Sequence, residues 1–235
     1  MIRNLHNYKI LAISAVLLLS AVVHLIIPNI TSARQERDDI DVFKSLATRC
    51  SERGSLDSWS FDDVLCINGE IGTKMLVDIE NVEWTAVDTV IVDSGGGDVA
   101  IAIQIAEKIA SQKITLVVRG RCLSSCANYL FIAASLKIVL KDSKIGWHGG
   151  PGTAEDYGIS DPARAEKINS IRKLSDDFLT KMGVSTEILY SAPQWAVSEG
   201  ERRKSLGADL RSFTWSYNAE ELLRRFNVKN VLFER

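Results

Sequence analysis

The stretch TVIVDSGGGDVAIAIQIAEKIAS, Thr89 to Ser111, decides the class of fold. Thr89 to Asp93 is a β-branched run of the kind found in a strand buried on both faces. Gly95 to Gly97 then interrupt it without adding any packing bulk. Ile101, Ile103 and Ile105 alternate as in a strand, but the alanines at 100, 102, 106 and 110 and the length of the run predict a helix lying on a sheet.

The same grammar continues on either side. Phe61 to Asn68 reads as a strand, and Gly69 to Asn81 carries Ile71, Met75, Leu76 and Ile79 at helical spacing. Thr115 to Arg119 is the next strand, Ala127 to Ser135 an apolar helix, and KIVL (137–140) and KIGWH (144–148) are short strands. Asp161-Pro162 starts a long amphipathic helix with Ala163, Ile168, Ile171, Leu174, Phe178 and Leu179 on its apolar side, stopped at Gly183. Shorter helices are predicted at Ser185 to Tyr190, Ser198 to Leu206 and Asn218 to Arg225. Strands alternating with helices indicate an α/β fold with a mostly parallel sheet.

The 235 residues, 46% apolar and 25% charged, suit one sizeable domain. A net charge of -2, with no basic cluster, argues against nucleic acid as a partner. Ile10 to Ile27 is an 18-residue run without a formal charge. As a helix it would be about 27 Å long, close to the thickness of bilayer hydrocarbon. The only cleavage-site candidate, Thr31-Ser32-Ala33, is a poor one, so residues 1–33 read as an uncleaved signal anchor contacting the membrane through residues 10–27. Residues 34–57 read as a tether and 58–235 as the domain, expected on the extracytoplasmic (periplasmic) side of the inner membrane. Four cysteines suit such an exported protein with two disulfides. Three pairings are available, and neighbours in sequence pair Cys50 with Cys66 and Cys122 with Cys126; free buried thiols are the competing reading.

Three elements could carry chemistry: Gly95 to Gly97, the serines of GRCLSSCANYLF (120–131), and His148. The glycine run follows a strand and precedes a helix, so its N–H groups can face an anion or an oxyanion; equally, it can be an ordinary tight turn. Neither GxxxxGK[ST] nor GxGxxG is matched, which argues against a nucleotide site. A serine in a strand-to-helix turn can be a nucleophile or a helix cap. His148 is the single histidine outside the N-terminal segment, so any serine–histidine mechanism must use it; packing under the Gly149-Gly150 loop is the alternative.

The order and spacing of these elements resemble the Clp protease proteolytic subunit and its relatives of the ClpP/crotonase fold, whose repeated β-β-α units surround a mostly parallel sheet. Asp93 to Val99 (DSGGGDV) resembles that family's N-S-P-G-G-S-V, Gly120 to Ser125 its G-Q-A-A-S-M, and Gly146 to Pro151 (GWHGGP) its I-H-Q-P. His148 follows Ser124 by 24 residues, and the resemblance spans roughly Val64 to Asp209. It implies a serine peptidase with Ser124 as nucleophile, His148 as base, and the N–H groups of Gly97 and Ser125 as oxyanion donors. Ser125 as nucleophile and Gly96 as donor are the alternatives. No metal or organic cofactor is implied. A peptide or protein is the implied substrate, and a homo-oligomer is compatible with the resemblance. The Cys-x-Ser-x-Cys frame also resembles a group of exported Clp-protease-like proteins.

One position departs from the family. Its aspartate, four residues before the serine of a C-terminal motif that resembles Trp195 to Asp209, is Gln194 here. Glutamine can orient an imidazole but cannot stabilise imidazolium; the corresponding Asp-to-Asn loss in another serine protease costs about 10⁴ in rate. Asp156 and Asp161 are candidate substitutes. A weakly active or inactive peptide-binding scaffold is therefore the alternative to a hydrolase. A crotonase-like enolate chemistry is a third reading, opposed by the lack of an evident coenzyme A site and by the signs of export.

Overall fold

The computed structural model describes residues 40–52, 58–205 and 213–234. The chain divides into two compact units, 1–45 and 46–235. Of the first, residues 40–45 are described, and they are helical. The apolar run 10–27 lies outside the described residues, among which no helix is long and apolar enough to cross a membrane.

The second unit opens with helical residues 46–52 (α1), inside the stretch read as a tether. A hairpin follows, β1 (Ser58–Phe61) pairing antiparallel with β2 (Val64–Ile71) across Asp62 and Asp63. Where sequence periodicity suggests a single strand from Phe61, the chain reverses: Asp62 adopts φ 49°. Aspartate tolerates that left-handed conformation, and the turn becomes visible only once its two strands pair. β2 runs on to Ile71, so the helix expected from Gly69 begins later, at α2 (Thr73–Glu80).

β3 (Thr89–Gly97), α3 (Val99–Ser111) and β4 (Thr115–Leu123) realise the strand–glycine–helix pattern. The chain then enters a helical turn containing the π-helix Cys126–Phe131, followed by β5 (Leu136–Val139) and β6 (Lys144–Gly146). The helices α4 (Pro162–Lys181), α5 (Glu187–Tyr190), α6 (Gln194–Ser205) and α7 (Ala219–Phe226) lead to β7 (Val231–Phe233), a strand with no clear sequence signal.

The sheet order is β1-β2-β3-β4-β5-β7, with β6 alongside the far end of β4. Every pairing except β1–β2 is parallel. Leu65, Ile67, Val90, Val92, Leu116 and Val118 face one core with Met75 and Ile79 of α2, Ile105 and Ile109 of α3 and Phe178 of α4. Their alternates Val64, Cys66, Ile91 and Val117 are equally buried. Burial on both faces explains why these strands read as unbroken apolar runs. The Cys50–Cys66 disulfide ties α1 to that second face.

The long helix α4 departs from its predicted face. Ser175, Phe178 and Leu179 are its buried residues, whereas Leu174 and Ala163 are exposed. Ser175 is drawn inward because its hydroxyl bonds the buried Tyr129 hydroxyl at 2.8 Å.

Candidate functional site

The three sequence elements each lie at the C-terminal end of a parallel strand, the edge where open α/β sheets place their ligands. β3 brings Gly95 to Gly97, β4 brings Ser124, and the extension of β6 brings His148. Register shifts interrupt the β2–β3 ladder at Asn68/Glu70 and the β3–β4 ladder at Val92/Ser94. Such bulges let the ends of β3 and β4 turn out of the sheet. Ser94 fastens the distortion: its hydroxyl donates to the Gly69 carbonyl at 2.6 Å and accepts from Gly96 N at 3.1 Å.

That bond occupies the Gly96 N–H. Asp98 N donates to the Ile71 carbonyl of β2 at 2.7 Å, and the opposite edge of β3 faces β4. The Gly97 carbonyl on that edge accepts the Ser125 hydroxyl at 2.8 Å. Gly96 (φ 94°) backs directly onto the serine turn: a Cβ there would lie 2.6 Å from the Leu123 carbonyl oxygen, 2.8 Å from Ser124 Cβ and 2.9 Å from Ser125 N. A Cβ on Gly97 would run into the Ile71 carbonyl. The middle and last glycines are thus required by close approach, while Gly95 has open space around it.

Ser124 is half-buried and sits at φ 55°. A left-handed serine costs about 1–3 kcal/mol, and it also describes the sharp strand-to-helix turn that projects a nucleophile. Its N–H donates to the Gly146 carbonyl at 3.0 Å, and its carbonyl accepts from Asn128 N at 2.8 Å. No hydrogen bond of the Ser124 hydroxyl occurs among the described residues. Ser125 is 2% exposed and its hydroxyl is committed to Gly97. Neither serine caps the helix through its side chain. The disulfide Cys122–Cys126 brackets the turn. Both disulfides follow the nearest-neighbour pairing.

His148 lies two residues past the carbonyl that accepts Ser124 N. Trp147, bridged to Trp215, is fully buried, so strand alternation turns His148 outward, where it is exposed. Among the described residues its imidazole bonds neither Ser124 nor any carboxylate. The Asp156 carboxylate accepts from Thr153 N at 2.6 Å, which holds its pKa below the usual range, and Asp161 caps α4 by accepting from Arg164 N at 2.8 Å. Both proposed substitutes are therefore engaged locally. Gln194 is exposed at the first residue of α6, and the Asp209 end of its motif lies outside the described residues.

Sequence reading missed the residues that fasten the His148 loop. Asn128, 3% exposed, donates from Nδ2 to the Gly149 carbonyl at 3.1 Å. Its signal was a lone amide inside the apolar run CANYLF. From α4 and α5, Asp176 accepts from Arg172 at 2.9 Å and from the Tyr190 hydroxyl at 3.0 Å. Arg172 stacks 3.8 Å above the Tyr190 ring and reaches the Pro151 carbonyl at 3.4 Å. Burial and the Asp176 carboxylate push the Tyr190 phenol pKa upward, keeping it a neutral donor. Beside the glycine run, a depression of about 380 Å³ is lined by Gly69, Glu70, Gly95 to Gly97 and Arg121.

No protein-family model matches the chain, and no curated protein matches it. Among solved structures, a ClpP1 mutant from Listeria monocytogenes is similar at 19% identity, over 55% of this chain and 77% of that chain, with a TM-score of 0.43.

Proposed function

We propose that this chain is a serine hydrolase of the Clp-protease-like type, acting on peptide bonds, with a ClpP/crotonase-like domain tethered outside the cytoplasm by residues 10–27. The observation that carries it is the left-handed Ser124 turn set against Gly96 and Gly146. Ser124 Oγ attacks the acyl carbon, and the exposed His148 ring rotates inward to take its proton. The same ring returns that proton to the leaving amine, and water releases the acyl group. The N–H groups of Gly97 and Ser125 hold the oxyanion, each such donor being worth about 10²–10³ in rate. Ser124 is favoured over Ser125 because the Ser125 hydroxyl is buried and committed to Gly97. Gly97 is favoured over Gly96 because the Gly96 N–H serves Ser94.

The deciding experiment treats the purified full-length chain with a fluorophosphonate and locates the label by mass spectrometry. Label on Ser124, abolished by Ser124→Ala, is expected. A folded protein that takes no label would sink the hydrolase reading. A reporter fused after Arg235 is expected to be active outside the cytoplasm alone.

A second reading, peptide binding without turnover, is favoured by the absence of a carboxylate on His148 among the described residues. Gln194→Asp separates the two: label appearing only in that variant identifies a lapsed hydrolase.

A further inference from the structure

We propose that the Cys122–Cys126 disulfide is the positioning device for Ser124, a role that rests on Ser124 being the nucleophile. Ser124 holds φ 55° although its side chain makes no hydrogen bond among the described residues to compensate. Backbone bonds to Gly146 and Asn128 seat the turn, and the disulfide adds a covalent link around it. Cys122 is anchored on both sides, paired with Ser94 of β3 and Ile145 of β6. Cys126 opens the π-helix, whose six residues are all buried. The Cα atoms of the two cysteines are 5.2 Å apart across a separation of 4 residues. An extended chain of that length would span about 13 Å, so the bridge requires a tight reversal among the three residues it encloses.

Ser124 is the middle one of those three, and its left-handed backbone makes the reversal. The covalent link closes around that turn, and at 5.2 Å it holds the two ends of the turn together. With the bridge open, two backbone hydrogen bonds are left to hold Ser124 against relaxing toward the ordinary right-handed region, a change that carries its Cβ away from Gly96 and its N–H away from Gly146. The other disulfide offers an internal control. Cys50–Cys66 ties α1 to β2, and β3 lies between β2 and the strand that carries the serine turn. Its loss weakens the fold without touching Ser124.

The test compares full-length parent, Cys50→Ala/Cys66→Ala and Cys122→Ala/Cys126→Ala, each well below its melting temperature. The fluorophosphonate labelling rate is read beside near-ultraviolet circular dichroism. Expected is a control that melts earlier yet labels at the parent rate. The Cys122→Ala/Cys126→Ala protein, still folded, should label about ten- to a hundred-fold more slowly, the scale of loss when a reacting group is misplaced by an ångström. A second measurement covers the case in which that variant fails to fold. In the Cys50→Ala/Cys66→Ala background the buried bridge is first exposed in denaturant, where dithiothreitol supplies two electrons and two protons, breaking the remaining S–S bond to two thiols and becoming its own cyclic disulfide, and the protein is then refolded under reductant. Labelling should fall with the circular dichroism unchanged and return on reoxidation, a reversible loss that simple destabilisation does not produce. Labelling at the parent rate without the Cys122–Cys126 bridge, or a loss that tracks only the unfolded fraction, overturns the positioning role and leaves the nucleophile assignment standing. A parent that takes no label overturns both.

Discussion

The Ser125 hydroxyl donates to the Gly97 carbonyl at 2.8 Å, joining the serine turn to the glycine turn across 28 positions of sequence. Ser125→Ala removes the side-chain donor from that part-buried carbonyl, at a cost of about 1 kcal/mol. Chemical denaturation should show a lower midpoint at unchanged slope, while fluorophosphonate label on Ser124 persists. Label lost from Ser125→Ala but retained by Ser124→Ala would move the nucleophile by one residue.

The glycine run makes a sharper comparison. Gly96→Ala places a Cβ against Leu123, Ser124 and Ser125 at a positive φ, whereas Gly95→Ala meets nothing within 4 Å. Gly96→Ala should lose about 2–4 kcal/mol of stability and most of the Ser124 labelling. Gly95→Ala should stay within about 0.5 kcal/mol of the parent. Equal effects of the two substitutions would contradict the close packing of β3 against the serine turn.

Asp176 is the hub of the clasp on the His148 loop. Asp176→Ala releases both Arg172 and the Tyr190 hydroxyl, groups about a third exposed, so the loss of stability should be only about 0.5–1 kcal/mol. Hydrogen exchange gives the more specific readout. The Gly150 N–H, which donates to the Leu189 carbonyl at 3.0 Å, should lose protection while the amides of β3 and β4 keep theirs. Unchanged exchange at Gly150 would remove the clasp from any role in holding the loop.

Lys137 is a buried cation, 4% exposed, whose ammonium donates to the carbonyls of Ala134 and Lys229. Burial pulls its pKa from 10.5 to about 8. Below about pH 8 the lysine is protonated in both folded and unfolded chains, and the full cost of burying the charge is present. Between about 8 and 10.5 the unfolded chain binds the extra proton, so this group makes stability rise with pH. Relative to Lys137→Met, the parent should therefore gain stability across that window, by at most about 3 kcal/mol. A difference that stays flat from pH 7 to 10.5 would mean that the two carbonyls hold the charged form as well as water does.

How far the molecule can be read from its sequence depends on the range of the interaction. β3 and α3 were legible because a β-branched run, a glycine break and an alanine-rich helix are local patterns, and the Asp98 side chain completes them by accepting from Ile101 N at 2.9 Å. The order of three motifs was legible for the same reason. The three-residue β7 and the extension of β4 to Leu123 were not, because each exists only through a partner strand distant in sequence; the β1–β2 hairpin is local, but its turn is made by two aspartates inside what reads as the start of one strand. Asn128 reads as a stray amide until the Gly149 carbonyl lies beside it.

The sequence by itself determined that the chain alternates strands with helices, that glycines end β3, and that a serine bracketed by cysteines follows β4. Backbone propensity and side-chain volume act over a few residues and leave those marks in the text of the chain. Tertiary structure decided which of two adjacent serines commits its hydroxyl to Gly97, which glycine N–H is spent on Ser94, and that Asp156 and Asp161 accept from the N–H groups of Thr153 and Arg164. Hydrogen bonds are short-ranged and saturable, so each group's availability depends on which distant group folding brings within 3 Å of it.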